Sequence, residues 1–211
     1  MFASAPGWVH ALVEAVRSTR PLELVAVAFG LVSVYLSARE RIASWPTAIV
    51  NVGIYAYLFW IWKWYADAGL QVVYLVLSVY GWYEWRYGGA RHAPLQVTRA
   101  TRMDWLIAAP AFVLAAIGVG RVLDVYTDSP VPYLDASLTS ASLVAQWLMT
   151  RKRIENWIIW LAADAVYVPV LMRRGNVFTA LQYAVFLLLA AMGWIGWRRS
   201  LRAHPTDARP A

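Results

Sequence analysis

The chain has 211 residues, 61% of them hydrophobic and 15% charged, with a formal net charge of +7 and no cysteine. So apolar a composition excludes a soluble domain of this size, and the missing cysteines exclude disulfides, thiol nucleophiles and cysteine-ligated metals. The positive charge is not a nucleic-acid footprint, because the basic residues stand between or beyond the apolar runs, where they orient membrane helices.

In chain order, the first element is GWVHALVEAVRS from Gly7, with Trp8, Leu12, Val13 and Val16 on one side and His10, Glu14 and Arg17 on the other. It reads as a helix lying in the membrane interface, too short and too charged to span. Apolar runs long enough to cross a bilayer, at about 20 residues per crossing, follow at 22–38, 42–62, 69–86, 103–122, 133–150, 154–172 and 176–197. Seven crossings put the loops after spans one, three and five on the same side as the C-terminus. That side carries 13 of the 19 cations, so the positive-inside rule places the C-terminus in the cytoplasm and the N-terminus outside. The acidic, proline-containing VLDVYTDSPVPYLD connection, with Asp124, Asp128 and Asp135, falls on the outer face.

The segment RERIASW at Arg39–Trp45 returns as RKRIENW at Arg151–Trp157, and YGWYEWR at Tyr80–Arg86 returns as MGWIGWR at Met192–Arg198. Both returns are 112 positions later. Aligned without a gap, Leu22–Arg86 and Leu134–Arg198 share 17 identities in 65 positions, against roughly 5 expected from shared composition. The expected fold is therefore an all-α integral membrane protein in which seven transmembrane helices form a 3+1+3 parallel duplication. Three crossings invert direction and the fourth restores it, so the repeats run parallel and a substrate path is expected between them. The organisation is an interfacial segment 1–21, a first repeat 22–86, a linker 87–132 holding the fourth span, a second repeat 133–198 and a cytoplasmic tail 199–211. The fourth span, APAFVLAAIGVG with Pro110 and no polar residue in its middle, reads as a peripheral connector.

Residues costly to place in lipid mark the candidate site. Asp164 lies mid-span, where a carboxylate costs about 2.5–3.5 kcal/mol even on the lenient insertion scale. Trp157, Trp160 and Tyr167 share its helical stripe. Asn51 sits one position from the repeat equivalent of Asp164, and Tyr55 is the equivalent of Tyr167. The third span adds Gln71 and Tyr74, followed by Ser78; the seventh adds Gln182, then Tyr183 and Phe186. The substrate-binding candidates are thus Asn51, Tyr55, Gln71, Tyr74, Trp157, Trp160, Asp164, Tyr167 and Gln182. An aromatic packing stripe with a structurally paired acid is the competing reading for the sixth span. Amides that only link helices are the competing reading for Asn51, Gln71 and Gln182. The paired G-W-x-x-W motifs, with Trp82 and Trp85 in one repeat and Trp194 and Trp197 in the other, read first as interfacial anchors, with an inner gate as the second reading. RERI and RKRI read as topology determinants.

No phosphate loop, HExxH or G-x-S-x-G motif is present, and His10, His92 and His204 lie outside the spans, too far apart for a metal site. No cofactor and no catalytic residue is expected.

Laid out this way, the chain resembles the PnuC family of vitamin transporters. The residues that carry the resemblance are Trp45, Pro46, Asn51 and Tyr55; Leu70, Gln71, Tyr74, Tyr80, Gly81, Trp82 and Trp85; and Glu155, Asn156, Trp157 and Trp160. The likeness runs from about Leu22 to Arg198. It implies a fold similar to that of the SWEETs, a homotrimer, and facilitated diffusion of nicotinamide riboside across the inner membrane, with trapping by a cytoplasmic kinase. The partners are then a small-molecule vitamin and the lipid bilayer, with no nucleic acid. Thiamine or another heteroaromatic vitamin is the near alternative. A non-transporting sensor or scaffold and an intramembrane enzyme are the rivals from other classes. Duplicated halves favour transport, because alternating access needs two elements that rock about one site.

Overall fold

The computed structural model describes residues 21–173 and 175–203, so the N-terminal interfacial segment and two of the three histidines, His10 and His204, lie outside the described residues. The described chain is all-helical: α1 (Pro21–Ala38), α2 (Ser44–Ile61), α3 (Tyr65–Tyr87), α4 (Arg102–Tyr126), α5 (Pro132–Thr150), α6 (Asn156–Arg173) and α7 (Val177–Ala203), with one 3₁₀ turn at Ala90–His92. Three of them, α1, α4 and α7, meet a strict criterion of length and apolarity for crossing a membrane. The other four are less apolar along their length.

The helix starts follow local chemistry. Pro132 opens α5, where a missing N–H costs nothing. Thr101 closes a capping box with Asp104 at the start of α4. The third helix begins at Tyr65, four residues before the apolar run that predicts it, because Ala68 N–H already donates to Trp64 O; Asp67 interrupts the hydropathy but not the backbone ladder. The last helix runs on to Ala203, so the start of the expected tail is helical.

Packing repeats with the sequence. Helices α1, α2 and α3 pack in series, as do α5, α6 and α7, and the two sets meet through α1 on α7 and α3 on α5. Exchanging the halves turns one of those contacts into the other. Helix α4 packs chiefly on α5, where a Cβ on Gly120 would run into the Tyr133 ring.

The turns after α1 and α5 are the same device. Glu40 N–H donates to Ser37 O and Arg41 N–H to Leu36 O; Lys152 N–H donates to Met149 O and Arg153 N–H to Leu148 O. Each is a Schellman-type stop with its left-handed residue at C′. That residue is Glu40 (φ 55°) in one repeat and Lys152 (φ 49°) in the other, where glycine is usual because a Cβ there costs about 1–2 kcal/mol.

The best-packed core lies at this arginine-rich end. It holds Trp45, Trp85, Trp157 and Trp197 with Ala38, Val97, Met149, Ile154 and Ala190. Trp85 is 3% and Trp197 0% exposed, which corrects the reading of both as interfacial anchors. The physical reason is the neighbouring glycines. Gly81 lets the Trp45 ring close against α3 and Gly193 lets the Trp157 ring close against α7. The two rings then meet Trp85 and Trp197 edge-on, at 5.2 and 5.4 Å between centroids. Of the two Trp–Trp motifs, Trp82 alone is exposed as an anchor would be, and Trp194 packs against the core.

The basic motifs also do more than orient helices. Lys152 is buried and pairs with Glu40 at 3.3 Å, and Arg153 pairs with buried Asp104 at 2.9 Å. The linker divides between the halves. Leu95 N–H donates back to Trp85 O, whereas Thr98 N–H donates to Lys152 O and Thr98 O accepts from Ile154 N–H. Glu155 adds a bond from Ala100 N–H.

Candidate functional site

Between the two sets of three helices lies a cavity of about 540 Å³ whose wall includes all nine residues singled out from sequence. Asn51 and Tyr55 come from α2, Gln71 and Tyr74 from α3, Trp157, Trp160, Asp164 and Tyr167 from α6, and Gln182 from α7. The volume lies in the range of small-molecule sites. A shallower hollow of about 350 Å³, bounded by Val79, Trp82, Tyr83, Arg86 and Tyr87, lies at the end of α3 and shares no residue with the cavity.

Sequence reasoning missed the first helix of each repeat. Gly30, Ser33 and Ser37 of α1 and Thr139, Ser142 and Gln146 of α5 line the same wall. Their spacings of three and four put each set on one helical face, and that stripe of small and polar residues was the available signal. Asp67, Phe59 and Thr179 are further overlooked positions.

The hydrogen bonds fix what several groups can offer. Ser142 Oγ donates to Thr139 O at 2.7 Å, so its contact with Tyr74 Oη at 2.5 Å uses the tyrosine's proton. Tyr74 therefore ties α3 of one repeat to α5 of the other and presents only acceptor lone pairs to the cavity. Asn51 Nδ2 donates to Ala26 O at 2.7 Å, so the amide links α1 to α2 and its Oδ1 is left as an acceptor. Asn51 thus links two helices and also stands in the cavity wall.

Asp164 is 3% exposed, and no described residue hydrogen-bonds to it or pairs with it. A carboxylate so placed calls for a cationic ligand, a proton or water. Among the described residues the side-chain amides of Gln71, Gln182 and Gln146 are also unbonded. Aromatic rings surround them. Tyr167 and Tyr183 lie 4.6 Å apart at 35°, and Tyr55 stacks on Phe59 at 5.5 Å, which stacks in turn on Trp64 at 5.8 Å.

Trp157 occupies two environments. Its ring is 1% exposed and held by Gly193 and Trp197, yet it contributes to the cavity wall. Trp45, its repeat equivalent, does the same with Gly81 and Trp85. Their indole N–H groups are both buried without an acceptor, as is Ser78 Oγ on the same wall. The wall contains two carboxylates, Asp67 and Asp164, and no lysine, arginine or histidine among the described residues. Such a cavity suits an aromatic molecule with hydroxyl or amide groups and a positive charge.

Comparison with known proteins gives consistent findings. A sequence profile for the family described as nicotinamide mononucleotide transporter matches residues 20–199. The nicotinamide riboside transporter PnuC of Escherichia coli (strain K12) is 26% identical over 212 residues, covering 89% of this chain and 89% of the relative. The riboflavin/roseoflavin transporter RibM of Streptomyces davaonensis is 27% identical over 195 residues, covering 89% and 88%. The crystal structure of the vitamin B3 transporter PnuC shares the fold with a TM-score of 0.70 at 23% identity, over 93% of this chain and 88% of that one.

Proposed function

This chain belongs to the nicotinamide mononucleotide transporter family, a family of multi-pass membrane proteins, and from that premise we propose that it carries nicotinamide riboside across the inner membrane by facilitated diffusion. The charge of the cavity carries this reading: Asp67 and Asp164 stand in a wall without a cation among the described residues. A phosphate in that wall would face two carboxylates with nothing to neutralise it, so the cavity suits the riboside and not the mononucleotide. Riboflavin, the cargo named for one relative, is neutral and would leave both acids uncompensated. Thiamine is an aromatic cation that answers the same carboxylates, and it is the second reading.

In the bound state Trp160 and Tyr55 stack on the pyridinium ring, Trp157 closes the wall behind them, and Asp164 supplies the counter-charge. Gln71, Gln182, Tyr74 and Asn51 Oδ1 take the carboxamide and ribose. The two repeats are related by an axis along the membrane normal in a SWEET-like 3+1+3 arrangement. The arginine-rich end faces the cytoplasm and the N-terminus lies outside. The protein acts as a homotrimeric carrier and not as an enzyme, and a cytoplasmic kinase traps the substrate after entry.

The test is uptake of labelled nicotinamide riboside into liposomes holding the purified protein, with thiamine, riboflavin and nicotinamide mononucleotide as competitors. Saturable uptake that the mononucleotide does not block and that an uncoupler does not change is the expected result. Saturable riboflavin uptake with no riboside uptake would overturn the substrate, and collapse with an uncoupler would overturn the passive mechanism.

A further inference from the structure

Glu40 and Lys152 occupy equivalent positions 112 residues apart, and their side chains meet each other. Each sits where a helix stop favours glycine, in a left-handed conformation that penalises any side chain. A strained residue kept in both repeats points to a use for the side chain. That use is visible: Lys152 Nζ lies 3.3 Å from Glu40 Oε2 and 4.6 Å above the Trp85 ring, and Glu40 Oε1 accepts from Ser200 Oγ of α7.

Two further bonds cross between the halves beside this pair, and they are repeats of each other. Trp85 Nε1 donates to Met149 O and Trp197 Nε1 donates to Ser37 O, each at 3.0 Å. Met149 and Ser37 belong to the cavity wall. The four tryptophans therefore form a floor between the cavity and the Glu40–Lys152 pair, bridged by Trp85 and Trp197 with centroids 5.8 Å apart.

We propose that Glu40 and Lys152 are a latch that keeps this floor shut, and that their separation opens the cavity toward the arginine-rich end. A buried ion pair adds little to stability over an apolar pair of the same shape. What distinguishes it is that it can part into water at the end of the bundle, where both ions regain solvation. The floor itself is poised for the change, because the closed state leaves the indole N–H groups of Trp45 and Trp157 and the Ser78 hydroxyl buried without partners. Opening lets water reach them.

This inference rests on the transporter reading but not on which molecule is carried, so its test uses no substrate. The chain has no cysteine, and Ser78→Cys places a single thiol on the cavity wall. The rate of its labelling by a membrane-impermeant maleimide is measured from each side of oriented vesicles, alone and combined with Glu40→Gln, Lys152→Gln, or the exchange Glu40→Lys with Lys152→Glu. Expected is labelling from the arginine-rich side about tenfold faster in each neutralised variant. Because the two backbone sites are equivalent, the exchanged pair returns the rate to within about threefold of the parent. Unchanged labelling in both neutralised variants overturns the latch. So does an exchanged pair as fast as the single variants, and so does equal acceleration from both sides, which marks the pair as structural only.

Discussion

Gly193 is the point at which packing and the cavity wall are the same object, which makes Gly193→Ala an informative change. A methyl there would lie 2.5 Å from Trp157 Cε2, 2.6 Å from Cζ2 and 2.7 Å from Cδ2. Carbons in contact sit about 3.5–4.0 Å apart, so the ring must withdraw by about 1 Å. Trp197 holds the ring edge-on with 5.4 Å between centroids, and the open side is the cavity. Overpacking of this kind costs about 1–3 kcal/mol, or roughly 5- to 150-fold in an equilibrium constant. The loss divides between folding and binding as the ring moves into ligand space. Thermal unfolding in detergent and calorimetric titration with nicotinamide riboside measure the two parts, and the expected result is a Kd about tenfold higher with a lowered Tm. Trp157→Phe in the Gly193→Ala background should recover part of both, because the smaller ring frees the space the methyl takes. Unchanged Tm and Kd in Gly193→Ala would refute the argument.

Asp164→Asn should remove on the order of 1–2 kcal/mol of preference for a cationic ring over a neutral isostere, read as the ratio of two Kd values; an unaltered ratio makes the acid structural. Asp104→Ala removes the α4 capping box and leaves Arg153 without its buried partner. A broken buried pair costs about 3–5 kcal/mol, reduced to about 2–3 because the Arg151 side chain on the same acid is 40% exposed; a Tm equal to that of the parent would count against that account. Burial pushes the Lys152 ammonium below the ordinary lysine value of 10.5, with Glu40 opposing the shift. Between the lowered value and 10.5 the folded protein binds fewer protons than the unfolded chain, so this group adds stability as pH rises through that window. Subtracting the pH profile of Lys152→Met from that of the parent should give a rising difference, and a falling one would reverse the sign of the argument.

The membrane architecture was legible because apolar runs and a repeat at 112 positions are properties of the chain itself. The cavity was legible for a related reason: a carboxylate or amide inside a span is costly, so Asp164, Asn51, Gln71 and Gln182 stand out, although Gln146 of the fifth span was passed over. Small hydroxyl residues such as Ser33 and Ser142 cost little in a helix and gave a weaker signal. What lay beyond reach was contact between the halves. Nothing local marks Trp85 as a partner of Met149 or Lys152 as a partner of Glu40, since both pairings exist only once α3 meets α5 and the two turns come together. Trp157 shows the same limit. Its stripe on α6 reads as a ligand surface, but its face against Gly193 makes it core. Trp157→Ala would therefore cost about 3–5 kcal/mol of folding, and half-buried Trp160 is the cleaner probe of stacking.

The linker has a seam. Residues up to Leu95 are bonded back to α3, and residues from Thr98 onward are bonded to the turn after α5, with Asp104 fastened to Arg151 and Arg153. Only Gln96 and Val97 lie between the two sets of bonds. The covalent chain is thus nearly redundant at this point, and the molecule is a pseudo-dimer of a three-helix piece and a four-helix piece. Two messages, one ending at Gln96 and one beginning at Val97, would each encode a unit that keeps its own internal contacts. Co-expressed, they would find each other in the bilayer through the same tryptophans and the same ion pair.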